Sequence, residues 1–368
     1  MEEQKSGGIK KRFVFVDVLN VVACIAVVLL HTSLSVFVPS RTLMWAANAV
    51  AQAIAIFATP VFFMISGMNL LNYRQKYSTS VFFRKRLLRT GRALLVGSLA
   101  CYIILCLFPR AFYGAQSFEG AFGLKDFVKR FLTNQINDTY WFLYSIIYLY
   151  ILTPLLSLAA GRKRILEYLI GLCLLVSVCI PCLVWLGVGE QYFANLFGWP
   201  LFSSSSLLYF LLGYYLREYV DWKRPAWNYA LAYLVSTVLM ALISLGVNGY
   251  FSGSMPQAYD NMVAGVTSPL CVVQAASIFM LFKSVEPRLS GIGERAHGVV
   301  RALSAASLNV YLYHVLLINL MGVQMPTDSW WMSSDPFTKC VVIYCLTAAV
   351  VVIAQRTWSL LRGRHANS

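Results

Sequence analysis

Ten apolar stretches, most of them about 20 residues long, constrain the fold of this chain more than any other feature. Runs of about 18 or more apolar residues mark helices that cross a bilayer, because a helix satisfies its own backbone hydrogen bonds within lipid. Of the 368 residues, 59% are hydrophobic and only 12% are charged, whereas soluble domains carry charge at about 25%. We therefore predict a single all-α, polytopic membrane domain over residues 1–368 with about ten transmembrane helices. The predicted spans are 14–38, 44–71, 90–108, 139–160, 165–188, 200–216, 226–247, 262–282, 303–323 and 337–360.

Lysine and arginine are distributed unevenly between the predicted loops. Of the 30 Lys and Arg residues, 24 fall in the N-terminal segment and in alternate connections, and six fall in the others. Cytoplasmic loops carry such an excess, so both the N-terminal tail 1–12 and the C-terminal tail 361–368 are predicted to be cytoplasmic. Because topology accounts for the net charge of +15, we expect membrane lipids and no nucleic acid as partners.

The nine cysteines all fall inside apolar runs, where cysteine acts as a small hydrophobic residue. We predict neither disulfides nor a metal site, because no Cys pair is joined to His at metal-ligand spacing. The predicted outer loop 109–138 carries Phe127, Phe131, Lys129 and Arg130, a pattern typical of an amphipathic segment at the membrane surface. This segment either anchors the loop in the interface or helps to bind an acceptor.

The first predicted helix carries three polar side chains, Asp17, Asn20 and His31. Asn20 and His31 are eleven residues apart, which is about three helical turns and about 16 Å of rise, so they share a face with Asp17. Polar groups within a membrane are costly, and such a stripe is more typical of a cavity than of a lipid-facing surface. Two simpler interpretations are that Asp17 pairs with Lys11 or Arg12, and that His31 only bonds a neighbouring helix.

A second histidine, His314, lies near the middle of the ninth predicted span. Ser307, Tyr311 and His314 follow one another at spacings of four and three residues, so they share a helix face. Imidazole can take a proton from a hydroxyl group and return it, which is the proton transfer that acyl transfer requires. Two histidines within the membrane therefore point to acid–base chemistry there.

The second span ends in Ser66-Gly67, and the loop that follows holds the densest basic patch of the sequence. A Ser-Gly pair near a helix end permits close helix packing. The patch holds seven Lys and Arg residues between positions 72 and 92. It has two interpretations: it fixes topology and contacts anionic lipid, or it binds a phosphorylated cytoplasmic ligand.

These pieces resemble acyltransferase family 3, a family of bacterial integral-membrane acyltransferases. The resemblance runs over nearly the whole chain, and its motifs occur in the family's order. They are Asp17-x-x-Asn20-x(10)-His31, which resembles D-x-x-R-x(10)-H; Phe62-Phe63-Met64-Ile65-Ser66-Gly67; Arg86-x-x-Arg89; Trp141-Phe142-Leu143 with Pro154; Phe210-Leu211-Leu212-Gly213-Tyr214; and Tyr311-Leu312-Tyr313-His314.

The resemblance implies an enzyme of the bacterial cytoplasmic membrane. Such an enzyme takes an acyl group, usually acetyl, from cytoplasmic acyl-CoA and transfers it to a sugar of a cell-surface polysaccharide or to a lipid-linked glycan. We predict that His31, His314 and Tyr311 are catalytic: His31 is the general base or a transient acyl carrier, and His314 with Tyr311 positions or deprotonates the acceptor. The residues expected to bind or orient the donor are Asp17, Asn20, Ser66, Arg84, Arg86 and Arg89.

Asn20 departs from the family pattern, because the family usually has Arg at this position. Asparagine has no positive charge to offer a phosphate. Either one of Arg84, Arg86, Arg89 and Arg92 binds the CoA diphosphate in place of the missing arginine, or the use of the acyl donor has changed or been lost. The departure keeps open a second function class, a transporter or flippase in which the polar stripe conducts a sugar or lipid-linked substrate without covalent chemistry.

Overall fold

The computed structural model describes residues 13–193, 202, 204–221 and 224–365, and no β-strand occurs among them. The predicted all-α class is therefore confirmed, whereas the N-terminal tail 1–12 lies outside the described residues. The helices of the first half are α1 (Val14–Thr32), α2 (Leu43–Ala55), α3 (Ala58–Leu70), α4 (Thr79–Lys85), α5 (Leu87–Leu107), α6 (Leu124–Leu132), α7 (Trp141–Leu156), α8 (Lys163–Leu174) and α9 (Ile180–Trp185). Those of the second half are α10 (Ser205–Glu218), α11 (Ala226–Val247), α12 (Pro269–Ser284), α13 (Glu286–Leu289), α14 (Glu294–Gln324), α15 (Trp330–Ser333) and α16 (Pro336–His365).

Each of the ten predicted spans contains a helix. Among the described residues, eight helical segments are long and apolar enough to cross a membrane. The other two predicted spans are the shorter helices α10, of 14 residues, and α12, of 16 residues. The span predicted to start at residue 262 becomes helical only at Pro269, because Ser268 caps that helix by accepting from the Leu270 N–H at 3.2 Å.

Segments predicted to lie on the same side of the membrane meet at the same end of the structure. At one end, the Arg74 guanidinium donates to Ser157 Oγ at 2.7 Å, which joins the 72–92 loop to the end of α7. We call this the basic end. At the opposite end, the Tyr113 N–H donates to the Asn319 carbonyl at 3.1 Å, which joins the 109–138 segment to α14. We call this the loop end.

Helix α1 is anchored at the basic end by an acidic residue distant in sequence. The backbone N–H groups of Val14 and Phe15 donate to the two carboxylate oxygens of Glu286, at 3.1 and 2.6 Å. A carboxylate at a helix N-terminus satisfies free N–H groups and complements the helix dipole. This contact fixes the helix that carries Asp17, Asn20 and His31.

The second predicted span is two helices, α2 and α3, that break at residues 56–57. Pro60 has no N–H to donate to the Ile56 carbonyl, which interrupts the hydrogen-bond ladder. Neighbouring helices satisfy carbonyls on the α2 side of the break: Gln274 Nε2 donates to Ala53 at 2.8 Å, and Tyr233 donates to Ile54 at 3.0 Å. Such repair is what allows a broken helix inside a membrane.

Helices α3 and α10 cross at two glycines that belong to separate motifs. A Cβ atom built on Gly67 would lie 1.7 Å from the Phe210 carbonyl oxygen, and one built on Gly213 would lie 2.1 Å from that of Met64. Only glycine allows backbones this close. The expected packing role of Ser66-Gly67 therefore falls to Gly67, and the contact sets the position of Ser66.

The 109–138 segment folds back onto the helices. Helix α6 buries Phe127 against Tyr102, with ring centroids 5.4 Å apart. Tyr102 and Arg130 both donate to the Asp126 carboxylate, at 3.0 and 2.8 Å. Burial raises the pKa of Asp126, but these hydrogen bonds together outweigh it and hold the pKa below its usual value. The predicted amphipathic segment is thus a helix that packs on the other helices and helps to cover the loop end.

Candidate functional site

The two histidines predicted to be catalytic contact each other. His314 Nε2 lies 3.1 Å from His31 Nδ1, and the ring centroids are 4.9 Å apart. His314 is fully buried, whereas His31 is partly exposed. Helices α1 and α14 pack along each other, which brings residues 283 positions apart into hydrogen-bond contact.

The surrounding carbonyl groups determine which ring nitrogens carry protons. His314 Nδ1 lies 3.1 and 2.9 Å from the carbonyls of Val310 and Tyr311, and His31 Nδ1 lies 2.8 Å from that of Val27. Because carbonyls only accept, both Nδ1 atoms must be donors. In the neutral pair, His31 Nδ1–H is then shared with His314 Nε2, and His31 Nε2 carries a free lone pair. His31 is therefore the base of the pair, and His314 fixes its tautomer.

His31 lines a cavity of about 580 Å³ at the loop end, which we call the loop cavity. Its wall is formed mainly by two stretches of the 109–138 segment together with the end of α14. Polar side chains in that wall include Asn134, Asn137, Asp138 and Asn319. His31 is thus in contact with a cavity that a ligand can enter from the loop end.

Tyr311 lies between this cavity and a second one. Its hydroxyl donates to the Thr139 carbonyl, and Thr139 lines the loop cavity. Its ring lies 6.0 Å from the His314 ring and lines a second cavity of about 280 Å³. We call this the middle cavity. Tyr311 therefore forms part of the partition between the two cavities.

Asn20 and Ser66, two residues predicted to bind or orient the acyl donor, line the middle cavity. Asn20 Nδ2 donates to the carbonyl and hydroxyl oxygens of Ser304 on α14, at 3.2 and 3.1 Å. The Ser304 hydroxyl in turn donates to Asp17 Oδ1 at 2.8 Å. Asn20 thus helps to hold α1 against α14, and it presents its amide rather than a charge to the cavity.

Asp17 lines a third cavity, of about 550 Å³, at the basic end, which we call the basic cleft. Arg86 and Arg89 line it as predicted, whereas Arg84 lies exposed outside its lining residues. Whether Asp17 pairs with Lys11 or Arg12 concerns residues outside the described part of the chain.

Arg89 lines both the basic cleft and the middle cavity. The two cavities therefore adjoin at its guanidinium. Along α1 the order is Asp17 in the cleft, Asn20 in the middle cavity and His31 in the loop cavity. The rise from Asp17 to His31 is about 21 Å at 1.5 Å per residue.

Three further cations line the basic cleft, and one of them, Arg217, lies outside the basic stretch 72–92 that the sequence indicates as a candidate phosphate site. They are Lys76, Lys85 and Arg217. Arg217 donates to the Met68 carbonyl at 3.0 Å and lies 5.3 Å above the Phe13 ring. Arg217 lies one helical turn after the Phe210–Tyr214 motif, in the last turn of α10. That spacing is a signal in the sequence from which Arg217 could have been predicted. The cleft therefore contains five cationic side chains, which suits a polyanionic ligand.

Comparison with protein families identifies the chain over nearly its whole length. A family model for the acyltransferase 3 family, described as an acyltransferase domain, matches residues 13–356. Comparisons with curated proteins and with solved structures gave no significant match. The matched range includes every cavity residue named above.

Proposed function

We propose that this protein, which belongs to the acyltransferase 3 family and is a membrane acyltransferase, takes an acetyl group from cytoplasmic acyl-CoA. It transfers this group to a hydroxyl group of a cell-surface polysaccharide or lipid-linked glycan. The observation that carries the proposal is a pair of histidines in contact, with His31 at the wall of one cavity and a cationic cleft at the other end of the same helix. The basic end faces the cytoplasm in this proposal, because the predicted cytoplasmic loops meet there.

The basic cleft would hold the phosphates of acyl-CoA. Arg86, Arg89 and Arg217 supply guanidinium groups, which bind phosphate by paired hydrogen bonds. Lys76 and Lys85 add point charges. Arg89 takes the role left open by Asn20, since it is the cation at the junction with the middle cavity.

The middle cavity would hold the pantetheine arm and lead the thioester toward the histidines. Hydroxyl and amide groups of Asn20, Ser66 and Ser307 line it together with apolar rings of Phe62 and Phe142. This mixture suits an arm that has two amides on an alkyl chain. The distance from Asn20 to His31, about 16 Å of helix rise, is similar to the length of that arm.

The chemical step joins the acceptor oxygen to the acyl carbon. His31 Nε2 takes the proton from the acceptor hydroxyl while its oxygen attacks the thioester carbonyl carbon. When the tetrahedral intermediate collapses, the C–S bond breaks and the imidazolium returns the proton to the CoA thiolate. His314 holds the neutral tautomer that starts this cycle and shares the charge that forms on His31. Tyr311, whose hydroxyl already donates to Thr139, positions the partition rather than acting as a base.

Transfer suits this arrangement better than transport does. Tyr311 lines the middle cavity and contacts both His314 and Thr139 of the loop-cavity wall, so the histidine pair lies beside the boundary between the two cavities. A base at such a partition can act on two substrates that arrive from opposite ends. Only the acyl group then needs to pass.

The proposal is tested by comparing envelope glycans and lipids from cells that make the wild-type protein, His31→Ala, or no protein. Mass spectrometry should find acetyl groups in the wild type that are absent from both other samples, at equal membrane levels of the two proteins. Acetylation that persists in His31→Ala would refute the mechanism. Acetyl groups that do not depend on the protein at all would refute the enzyme assignment.

A further inference from the structure

The loop cavity and the basic cleft differ sharply in charge. The cleft is lined by five cations, whereas the described residues that line the loop cavity include neither Lys nor Arg. Among the described residues that line the loop cavity, Asp138 is the one acidic side chain. The two ends of the site therefore suit ligands of opposite character.

The two arginines of the 109–138 segment are each paired with another carboxylate, including Arg130, which contacts Ser117 and Phe118 of the cavity wall. Arg130 forms an ion pair with Asp126 at 2.8 Å, and Arg110 forms one with Glu119 at 2.7 Å. Asp138 itself is exposed to the cavity, and its carboxylate makes no hydrogen bond or ion pair with any described residue. It lies close enough to His31 for the two side chains to interact electrostatically.

The backbone that carries Asp138 is held in place on both sides. Asn137 Oδ1 accepts from the N–H and hydroxyl of Thr139, at 3.2 and 2.7 Å. Asn134 Nδ2 donates to the Asp138 carbonyl at 2.9 Å, and the Tyr140 hydroxyl donates to the Leu312 carbonyl at 2.8 Å. The carboxylate is thus presented from a fixed turn beside the base, as a binding group should be.

We infer that the loop cavity binds a neutral, hydroxyl-rich acceptor unit, and that Asp138 selects it by accepting hydrogen bonds from its hydroxyl groups. The inference rests on the proposed function and narrows its acceptor class. Hydroxyl groups donate strongly to a carboxylate, and the amides of Asn137 and Asn319 can both donate and accept. The exposed rings of Trp141 and Tyr113 supply flat apolar surfaces for the faces of a sugar ring.

The same arrangement rejects acidic units. A uronate, sialate or phosphorylated sugar would place a second negative charge beside Asp138 without a lysine or arginine in the wall to neutralise it. Like-charge contact costs enough to disfavour such a ligand by about ten-fold or more. Selection therefore works both by attraction of hydroxyl groups and by repulsion of anions.

The test maps the acetylated units in cells that make wild type, His31→Ala, Asp138→Asn or Glu119→Gln. Tandem mass spectrometry should place the His31-dependent acetyl groups on neutral sugar units. Asp138→Asn should lower their number about ten-fold, because it removes a charge-assisted hydrogen bond. Glu119→Gln, a carboxylate of the same loop that does not line the cavity, should leave it unchanged.

Two controls separate selection from a structural role and from failure of the proposed function. With purified protein in lipid nanodiscs and the mapped glycan as acceptor, Asp138→Asn should raise KM for the glycan and leave KM for acetyl-CoA unchanged. His31-dependent acetyl groups on acidic units, or wild-type acetylation by Asp138→Asn, would overturn the inference while the enzyme assignment stands. Acetylation that does not depend on His31 would instead remove the proposed function, and this inference with it.

Discussion

At the scale of single residues, the site depends on one hydrogen bond between two neutral imidazoles. Backbone carbonyls hold both Nδ1 atoms as donors, so His314 Nε2 accepts from His31 and leaves the outer nitrogen of His31 basic. The two histidines are therefore not equivalent. His31 performs the proton transfer, and His314 determines the form in which His31 is ready for it.

The unequal roles predict different outcomes for conservative and non-conservative changes. In His314→Gln the amide oxygen can accept from His31 Nδ1–H, so activity should stay within about ten-fold of wild type, whereas His314→Ala should lose about 100-fold or more. The measurement is kcat for acetyl transfer by both variants. Equal losses in the two would show that His314 has another role, and His31→Gln should be inactive in either case.

Arg89 and Arg84 form a matched pair for testing the donor site. Both are exposed arginines of the same basic stretch, but only Arg89 lines the cleft and the middle cavity. Arg89→Ala should raise KM for acetyl-CoA about 10- to 100-fold, the effect of losing a hydrogen bond between charged groups. Arg84→Ala should change it less than about two-fold. The prediction is wrong if the two variants bind acetyl-CoA alike.

Some of these residues could be found from the sequence, and others could not. Helical periodicity placed Asp17, Asn20 and His31 on one face, because that relation depends only on residues of one helix. The partners Ser304 and Glu286 are more than 250 positions away, so only the packing of helices reveals them. Asp138 was missed because a carboxylate in a predicted loop has no pattern that separates it from a solvated one.

At the scale of elements, the crossing of α3 and α10 determines where the middle cavity opens. Gly67 and Gly213 let the two backbones touch, and Ser66 beside that contact lines the cavity. Both motifs can be recognised in the sequence, but their contact cannot be predicted from it, since Gly67 and Gly213 are far apart in the chain. The break at residues 56–57 was missed for a similar reason, because its carbonyl partners belong to α11 and α12.

Gly67→Ala should destabilise the protein. The added methyl group would overlap the Phe210 carbonyl, and overpacking of this kind costs about 1–3 kcal/mol or more. Gly91→Ala on α5 is the matched control, because nothing lies within 4 Å of its Cβ position. That change should leave stability unchanged or raise it by about 0.5–1 kcal/mol. Thermal unfolding in detergent measures both, and equal midpoints would contradict the close crossing.

At the scale of the whole molecule, the protein is asymmetric from end to end. Cations gather around the cleft at the basic end, and amides with one carboxylate surround the loop cavity. The alternation of Lys and Arg predicted this separation of loops, because charge placement reflects topology rather than tertiary packing. The depth of each cavity depends on contacts between helices, so it could not be predicted from the sequence.

The central claim is that His31, as general base, catalyses acyl transfer between substrates that approach from opposite ends. Inverted membrane vesicles, which expose the cytoplasmic face, test it most directly when radiolabelled acetyl-CoA is added outside and glycan is retained inside. Vesicles with wild-type protein should accumulate label on the enclosed glycan, and vesicles with an equal amount of His31→Ala should show only the background of vesicles without the protein. Label on the enclosed glycan at the wild-type rate in His31→Ala vesicles would contradict the account.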